Sequence, residues 1–201
     1  MSEKVFARDI IEKSEKNCLI IKTILEAQKN IFDRVNGALN KALNFAECYQ
    51  IVDGGGNIRY KGKYKNDYLN MLKNLKTNTS TVIELYDSNN QKRGYIESIT
   101  YKNIKMCSVY NNDKRMLDIK KYEGYDEIDI SLAEGNFKVD YNKLNTYEIK
   151  VENELIGKLY ITRTREEENY LEKYVLEYED EENEILGILL SMAIDRISDK
   201  N

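Results

Sequence analysis

Hydrophobic and polar positions alternate with three different rhythms along the chain. Residues 5–46 repeat apolar side chains at steps of three and four: Ile21, Ile24/Leu25, Gln28, Ile31/Phe32, Val35, Ala38/Leu39, Ala42 and Phe45/Ala46. That spacing puts them on one face of an α-helix, and it predicts an N-terminal helical extension over residues 1–47. Asn36-Gly37 can divide it into two helices. The seam is thin, since Gln28, Ala38 and Ala42 occupy core positions. The stripe Ile21, Leu25, Phe32, Val35 and Leu39 either lies against the rest of the chain or meets a protein partner or a second copy.

From residue 49 to 178 the period becomes two. Residues 49–52 lead into Asp53-Gly54-Gly55-Gly56-Asn57, a hairpin turn, after which Ile58, Tyr60, Gly62 and Tyr64 alternate with Arg59, Lys61, Lys63 and Lys65. Residues 68–75 are a short helix candidate. Strands are then predicted at 81–86, 94–99, 104–110, 115–120, 127–132, 136–140, 146–152, 155–162 and 170–178. Many short strands separated by turn residues indicate an antiparallel sandwich or barrel. The half-polar alternation leaves one face of each strand in water.

The last rhythm is continuous. Residues 185–194 (ILGILLSMAI) follow the acidic run 180–184 and precede Arg196 and Lys200, a charge order that suits a helix dipole. At 100° per residue, the apolar positions between 185 and 197 cover every side of the helix, so it must be buried on every side. It is too short to span a bilayer. The material before it is nearly all strand, which predicts a closed sheet wrapped around a terminal helix.

Composition narrows the chemistry. The 201 residues include no His, Pro or Trp, but 16 Tyr and three Cys. Without His there is no Ser-His-Asp or Cys-His nucleophile system and no His-containing zinc site. The balance of 31 Lys+Arg against 35 Asp+Glu gives a net charge of −4, which argues against a nucleic-acid binder. Cys18, Cys48 and Cys107 have no metal-binding spacing, and the charged N-terminus is not a signal peptide. A soluble cytoplasmic protein with reduced thiols and no transmembrane segment is expected.

Four features invite a binding reading. Arg59, Lys61, Lys63 and Lys65 fall on one face of a strand about 7 Å apart, a cationic row suited to phosphate groups, or else a solvated face or the lysines of an edge strand. Residues 166–184 hold ten acids against Lys173, compatible with a hard-cation site at Glu177, Asp180, Glu181 and Glu184, or with a solvated turn. The trio Gly54-Gly55-Gly56 lacks a following GK[ST] and reads as a turn. Tyr170, Tyr174 and Tyr178 share one strand face, where they could stack bases or pack across strands. No motif for a nucleophile, general acid, metal or cofactor emerges, so an enzyme is not expected.

Three stretches carry a family likeness: 82–96 (VIELYDSNNQKRGYI), the pair 137–141 and 147–159, and 174–197 with its closing ILGILLSMAID. In this order, over residues 49–197, they resemble the tubby C-terminal-like superfamily, in particular its LURP-one-related and phospholipid-scramblase branch and its small bacterial members. The resemblance implies a mainly β fold at residues 48–201: a closed antiparallel barrel of about twelve strands around a hydrophobic C-terminal helix. It associates the fold with phosphoinositide binding, lipid scrambling or plant defence. The chain lacks a scramblase's Pro-rich leader, acylation-type Cys cluster and membrane-spanning end, and Val139-Asp140 stands where glycine-aspartate is expected. The expected function is a non-enzymatic intracellular binding or adaptor protein contacting partners through the N-terminal helix. The alternative is a peripheral binder of acidic phospholipid or another phosphorylated ligand through Arg59, Lys61 and Lys63.

Overall fold

The computed structural model describes residues 6–14, 16–24, 47–65, 79–123, 128–132, 137–142, 146–167 and 170–198. Twelve antiparallel strands form one sheet. In chain order they are β1 (Asn17–Ile24), β2 (Glu47–Asp53), β3 (Ile58–Tyr64), β4 (Thr79–Asp87), β5 (Lys92–Tyr101), β6 (Ile104–Asn111), β7 (Lys114–Tyr122), β8 (Ile128–Leu132), β9 (Phe137–Asn142), β10 (Thr146–Val151), β11 (Glu154–Glu167) and β12 (Tyr170–Tyr178). Each pairs with its sequence neighbour, and β1 pairs with β12, so the sheet curls into a nearly closed barrel. Only β8 and β9, the two ends of the order, make no ladder with each other among the described residues.

Turn chemistry sets the register of the hairpins. Asp53 and Asp87 build the same loop: each carboxylate accepts backbone N–H groups two and four residues on, from Gly55 and Asn57 and from Asn89 and Gln91. The residue in the left-handed region is Gly56 (φ 84°) in one and Asn90 (φ 59°) in the other. Asn112-Asp113 and Glu152-Asn153 have positive φ at both positions, the two-residue turn whose twist matches a hairpin.

Two helices complete the described fold: α1 (Ala7–Ile11) and α2 (Glu181–Ser198). Ala7 and Ile10 of α1 cover Val175 on the outer face of β12, beside Ile20 and Tyr160. Helix α2 is buried from Glu184 through Asp195, and Ile188 through Ile194 are fully inaccessible. It packs against β5, β6 and β7 on one side of the sheet and β11 and β12 on the other. Its inner residues join Ile21, Ile51, Ile83, Leu85, Ile96, Val109, Ile149 and Leu159 from the strands in one core. At Gly187 the helix comes so near the sheet that a Cβ would sit 2.9 Å from a Leu176 methyl, which accounts for glycine in the middle of a helix.

The N-terminal expectation is corrected in part. Helix occupies only Ala7–Ile11, and residues 17–24, expected as helix, form β1 between β2 and β12. The barrel therefore begins at residue 17, not 48. The segment NCLIIKTI is rich in β-branched side chains, and it buries Leu19, Ile21 and Thr23 at period two. The three-four stripe and this alternation share Ile21, so periodicity alone could not separate them. The rest of the helical extension, residues 25–46, and the helix candidate 68–75 lie outside the described residues.

Candidate functional site

The cationic row lies on the outer face of β3, whose Gly62 is buried between the outward Lys61 and Lys63. β3 is paired on both sides, with β2 and β4, so these are not edge-strand lysines. The structure divides the row. Arg59 approaches Glu184 of α2, with Nη2 3.7 Å from Oε1, and that carboxylate raises the Arg59 pKa further. Lys61 Nζ bonds the Glu47 carboxylate at 2.8 Å. Lys63 Nζ bonds the neutral Asn90 side chain at 3.2 Å and sits 5.0 Å over the Tyr86 ring. Lys65, just past the strand, is exposed.

Cross-strand register extends this face sideways. Lys63 pairs with Glu84, Glu84 with Tyr95, and Tyr95 with Tyr110. The Tyr95 and Tyr110 rings stack at 4.3 Å with planes 7° apart, and Lys92 lies over Tyr95. Lys92 also bonds Asp113 at 2.7 Å, which raises its pKa. The outcome is a surface of tyrosine rings topped by ammonium groups. Its acids are Glu47, Glu84, Glu97 and Asp113. Sequence spacing showed the row along β3; the partners on β4, β5 and β6 needed the register.

Inside the sheet the structure places a polar arrangement that sequence reasoning missed. Glu184 and Asp195 of α2 are both buried. Eleven residues apart, they come round to within 20° of the same helix face, about 16 Å along the axis. Each meets two tyrosines and a cation. Glu184 adds to burial in raising the pKa of the Tyr60 and Tyr178 hydroxyls beside it and faces Arg59, while its Oε1 has no hydrogen-bond partner among the described residues. Asp195 accepts from Tyr49 at 2.6 Å, Tyr174 at 3.1 Å and Lys173 at 2.9 Å. All of these partners come from β2, β3 and β12, so the two carboxylates fix one face of the helix to one sector of the sheet. Burial, followed by the adjacent Asp195, pushes the Tyr49 hydroxyl well above its ordinary value, and burial with Glu184 moves Tyr60 to about 12. These hydroxyls are donors at neutral pH.

Several expected features resolve against this frame. Tyr174 and Tyr178 are buried and committed to α2, so they offer no base-stacking ladder; the Tyr170 side chain lies outside the described residues. The acidic run disperses: Glu184 turns inward, Glu177 accepts the Ser14 hydroxyl at 2.8 Å, and Asp180 lies exposed at the start of α2. No group of three or more His, Cys, Asp or Glu side chains among the described residues could hold a metal ion. Gly54-Gly55-Gly56 is a hairpin turn. Ile21, first of the protein-contact stripe, is fully buried in β1 and cannot meet a partner; Leu25, Phe32, Val35 and Leu39 lie outside the described residues.

The cysteines are unpaired. Burial drives the Cys48 thiol far up and the Cys107 thiol to about 12, which leaves neither as a nucleophile. No described helix is long and apolar enough to cross a membrane. No family model, curated protein or solved structure matches the chain.

Proposed function

We propose that the chain is a non-enzymatic intracellular binding protein of the tubby and LURP-one type, a barrel wrapped around α2, which recognises a phosphorylated or acidic-lipid ligand on its outer face. The observation that carries this reading is the cation-over-tyrosine surface of β3 to β6, where Lys63 rests on Tyr86 and Lys92 on Tyr95. Side chains of α2 fill the space against the sheet at zero exposure, which favours recognition on the exterior. Lys63, whose partners among the described residues are the neutral Asn90 side chain and the Tyr86 ring, is the group best placed to meet phosphate oxygens. Lys61 and Lys92 exchange Glu47 and Asp113 for the ligand. Arg59 serves mainly to neutralise Glu184. The twelve-strand sheet curled about a buried C-terminal helix supports the family reading. The buried, unpaired Cys48 and Cys107 suit a reducing compartment.

Titration calorimetry with inositol hexakisphosphate and sedimentation with phosphoinositide vesicles separate a free phosphate from a headgroup. Each lysine near an anionic surface contributes about 1 kcal/mol. Lys61→Glu with Lys63→Glu is therefore expected to weaken binding by about 30-fold or more. Unchanged binding, or none by the parent to either probe, would dismiss this surface.

A further inference from the structure

The turns that begin at Asp53 and Asp87 share a backbone pattern and differ in what stands at the left-handed position. In the first, Asp53 N–H donates to the Asn57 carbonyl and Gly56 N–H donates back to the Asp53 carbonyl. In the second, Asp87 N–H donates to the Gln91 carbonyl and Asn90 N–H donates back to the Asp87 carbonyl. Gly56 and Asn90 thus hold equivalent places, at φ 84° and 59°. A Cβ added at Gly56 would meet nothing within 4 Å. Glycine meets the demand of this turn, so the backbone alone gives no reason for an asparagine side chain at 90.

A reason lies across the outer face of the sheet. Asn90 Oδ1 accepts a hydrogen bond of 3.2 Å from Lys63 Nζ, which also sits 5.0 Å from the centre of the Tyr86 ring. The register partners of Lys63 are both acids, Glu47 on β2 and Glu84 on β4. Each is engaged elsewhere. Glu47 Oε2 holds Lys61 at 2.8 Å, while Glu84 accepts the Tyr86 hydroxyl at 2.7 Å and lies 3.9 Å from Lys92. Of Arg59, Lys61, Lys63 and Lys92, three have a carboxylate partner and Lys63 has none among the described residues. An ion pair cancels much of the field that a phosphate would feel. A neutral amide holds the ammonium in place without subtracting its charge.

We infer that Asn90 is a positioning residue of the β3–β6 face: its neutral side chain draws Lys63 over Tyr86, away from Glu47 and Glu84, and leaves the ammonium charge to a phosphate group of the ligand. This rests on the ligand reading above and adds to it the residue that keeps one cation of the face uncompensated.

The test measures inositol hexakisphosphate binding by calorimetry for the parent, Asn90→Gly, Asn90→Asp and Lys63→Gln. Glycine and aspartate both accept the left-handed backbone, so the two Asn90 variants are expected to melt with the parent. Asn90→Asp, which gives Lys63 a charged partner, is expected to weaken binding about fivefold, the worth of one lysine beside an anionic surface. Asn90→Gly, which lets Lys63 turn to Glu47 or Glu84, should weaken it less. In the Lys63→Gln background, Asn90→Gly should weaken binding no further, because it acts through Lys63. Without ligand, Asn90→Gly should move the Lys63 ammonium resonance in nitrogen-15 spectra and leave that of Lys92 in place. Parent-like binding by Asn90→Asp while Lys63→Gln binds weakly would overturn this inference and leave the binding face standing. Equal losses from Asn90→Gly with and without Lys63 would do the same. Both Asn90 variants melting well below the parent would assign the side chain to the turn instead. No binding by the parent to inositol hexakisphosphate or to phosphoinositide vesicles would overturn both readings together.

Discussion

Replacing Leu189 by Asp is expected to abolish the cooperative fold. Leu189 has zero exposure in the middle of α2, and its Cδ1 lies 2.8 Å from where a Cβ on Gly94 of β5 would stand. An aspartate there finds the apolar core cluster and the close-packed backbone of β5 and β6. Burying an unpaired carboxylate costs several kcal/mol, and losing the leucine removes about 2 kcal/mol of apolar burial. Domains of this kind hold only about 5–15 kcal/mol in total. The check is a thermal melt followed by circular dichroism, in which the variant should give no sharp transition. A soluble variant melting near the parent would mean that this face of α2 is not enclosed.

Asp195→Ala should produce the next largest loss, about 3–5 kcal/mol, because it removes the shared acceptor and counter-charge of a buried network. Without the carboxylate, the Lys173 ammonium, at 16% side-chain exposure, loses its 2.9 Å partner. The buried Tyr49 and Tyr174 hydroxyls lose the acceptor they now share. Asp195→Asn keeps an acceptor for the hydroxyls but removes the charge facing Lys173, so its loss should be smaller. Denaturant midpoints order the three proteins: parent, then Asn, then Ala. Equal midpoints for parent and Ala would show that the network is incidental.

These two substitutions probe opposite halves of one design. A carboxylate is expected to be ruinous at position 189 and stabilising at 195 because of what the sheet presents to each. The helix supplies apolar side chains on all faces and two acids on one. The strands answer with a mostly aliphatic lining, and at β2, β3 and β12 with Tyr49, Tyr60, Tyr174 and Tyr178 toward the two acids.

How far this was legible from the residues alone depended on range. The ILGILLSMAID run announced a buried helix because its apolar positions surround the axis. Asp53 and Asp87 announced two hairpins because the turn chemistry is contained within five residues. β1 is ambiguous in sequence because Leu19, Ile20, Ile21 and Ile24 satisfy both a strand and a helix start, and only pairing with Ile51 and Tyr174 decides between them. The Glu184 and Asp195 anchors had a signal, acids at the borders of an apolar helix eleven residues apart, but their tyrosines come from strands far apart in sequence. Likewise, the row Arg59, Lys61 and Lys63 was evident from period two, whereas the consumption of Arg59 by Glu184 was not. Long-range register, not composition, showed Arg59 against Glu184, Lys61 on Glu47 and Lys63 on Asn90.

Enclosure of α2 by the sheet underlies both the choice of an exterior binding face and the two stability predictions, and hydrogen exchange tests it directly. If the barrel surrounds the helix, amides of Ile188 through Ile194 should exchange only through global unfolding, with an opening free energy equal to that from denaturant melts and to that of β5 and β6. Exchange of those helix amides well below the global value, while β5 and β6 remain protected, would contradict the account.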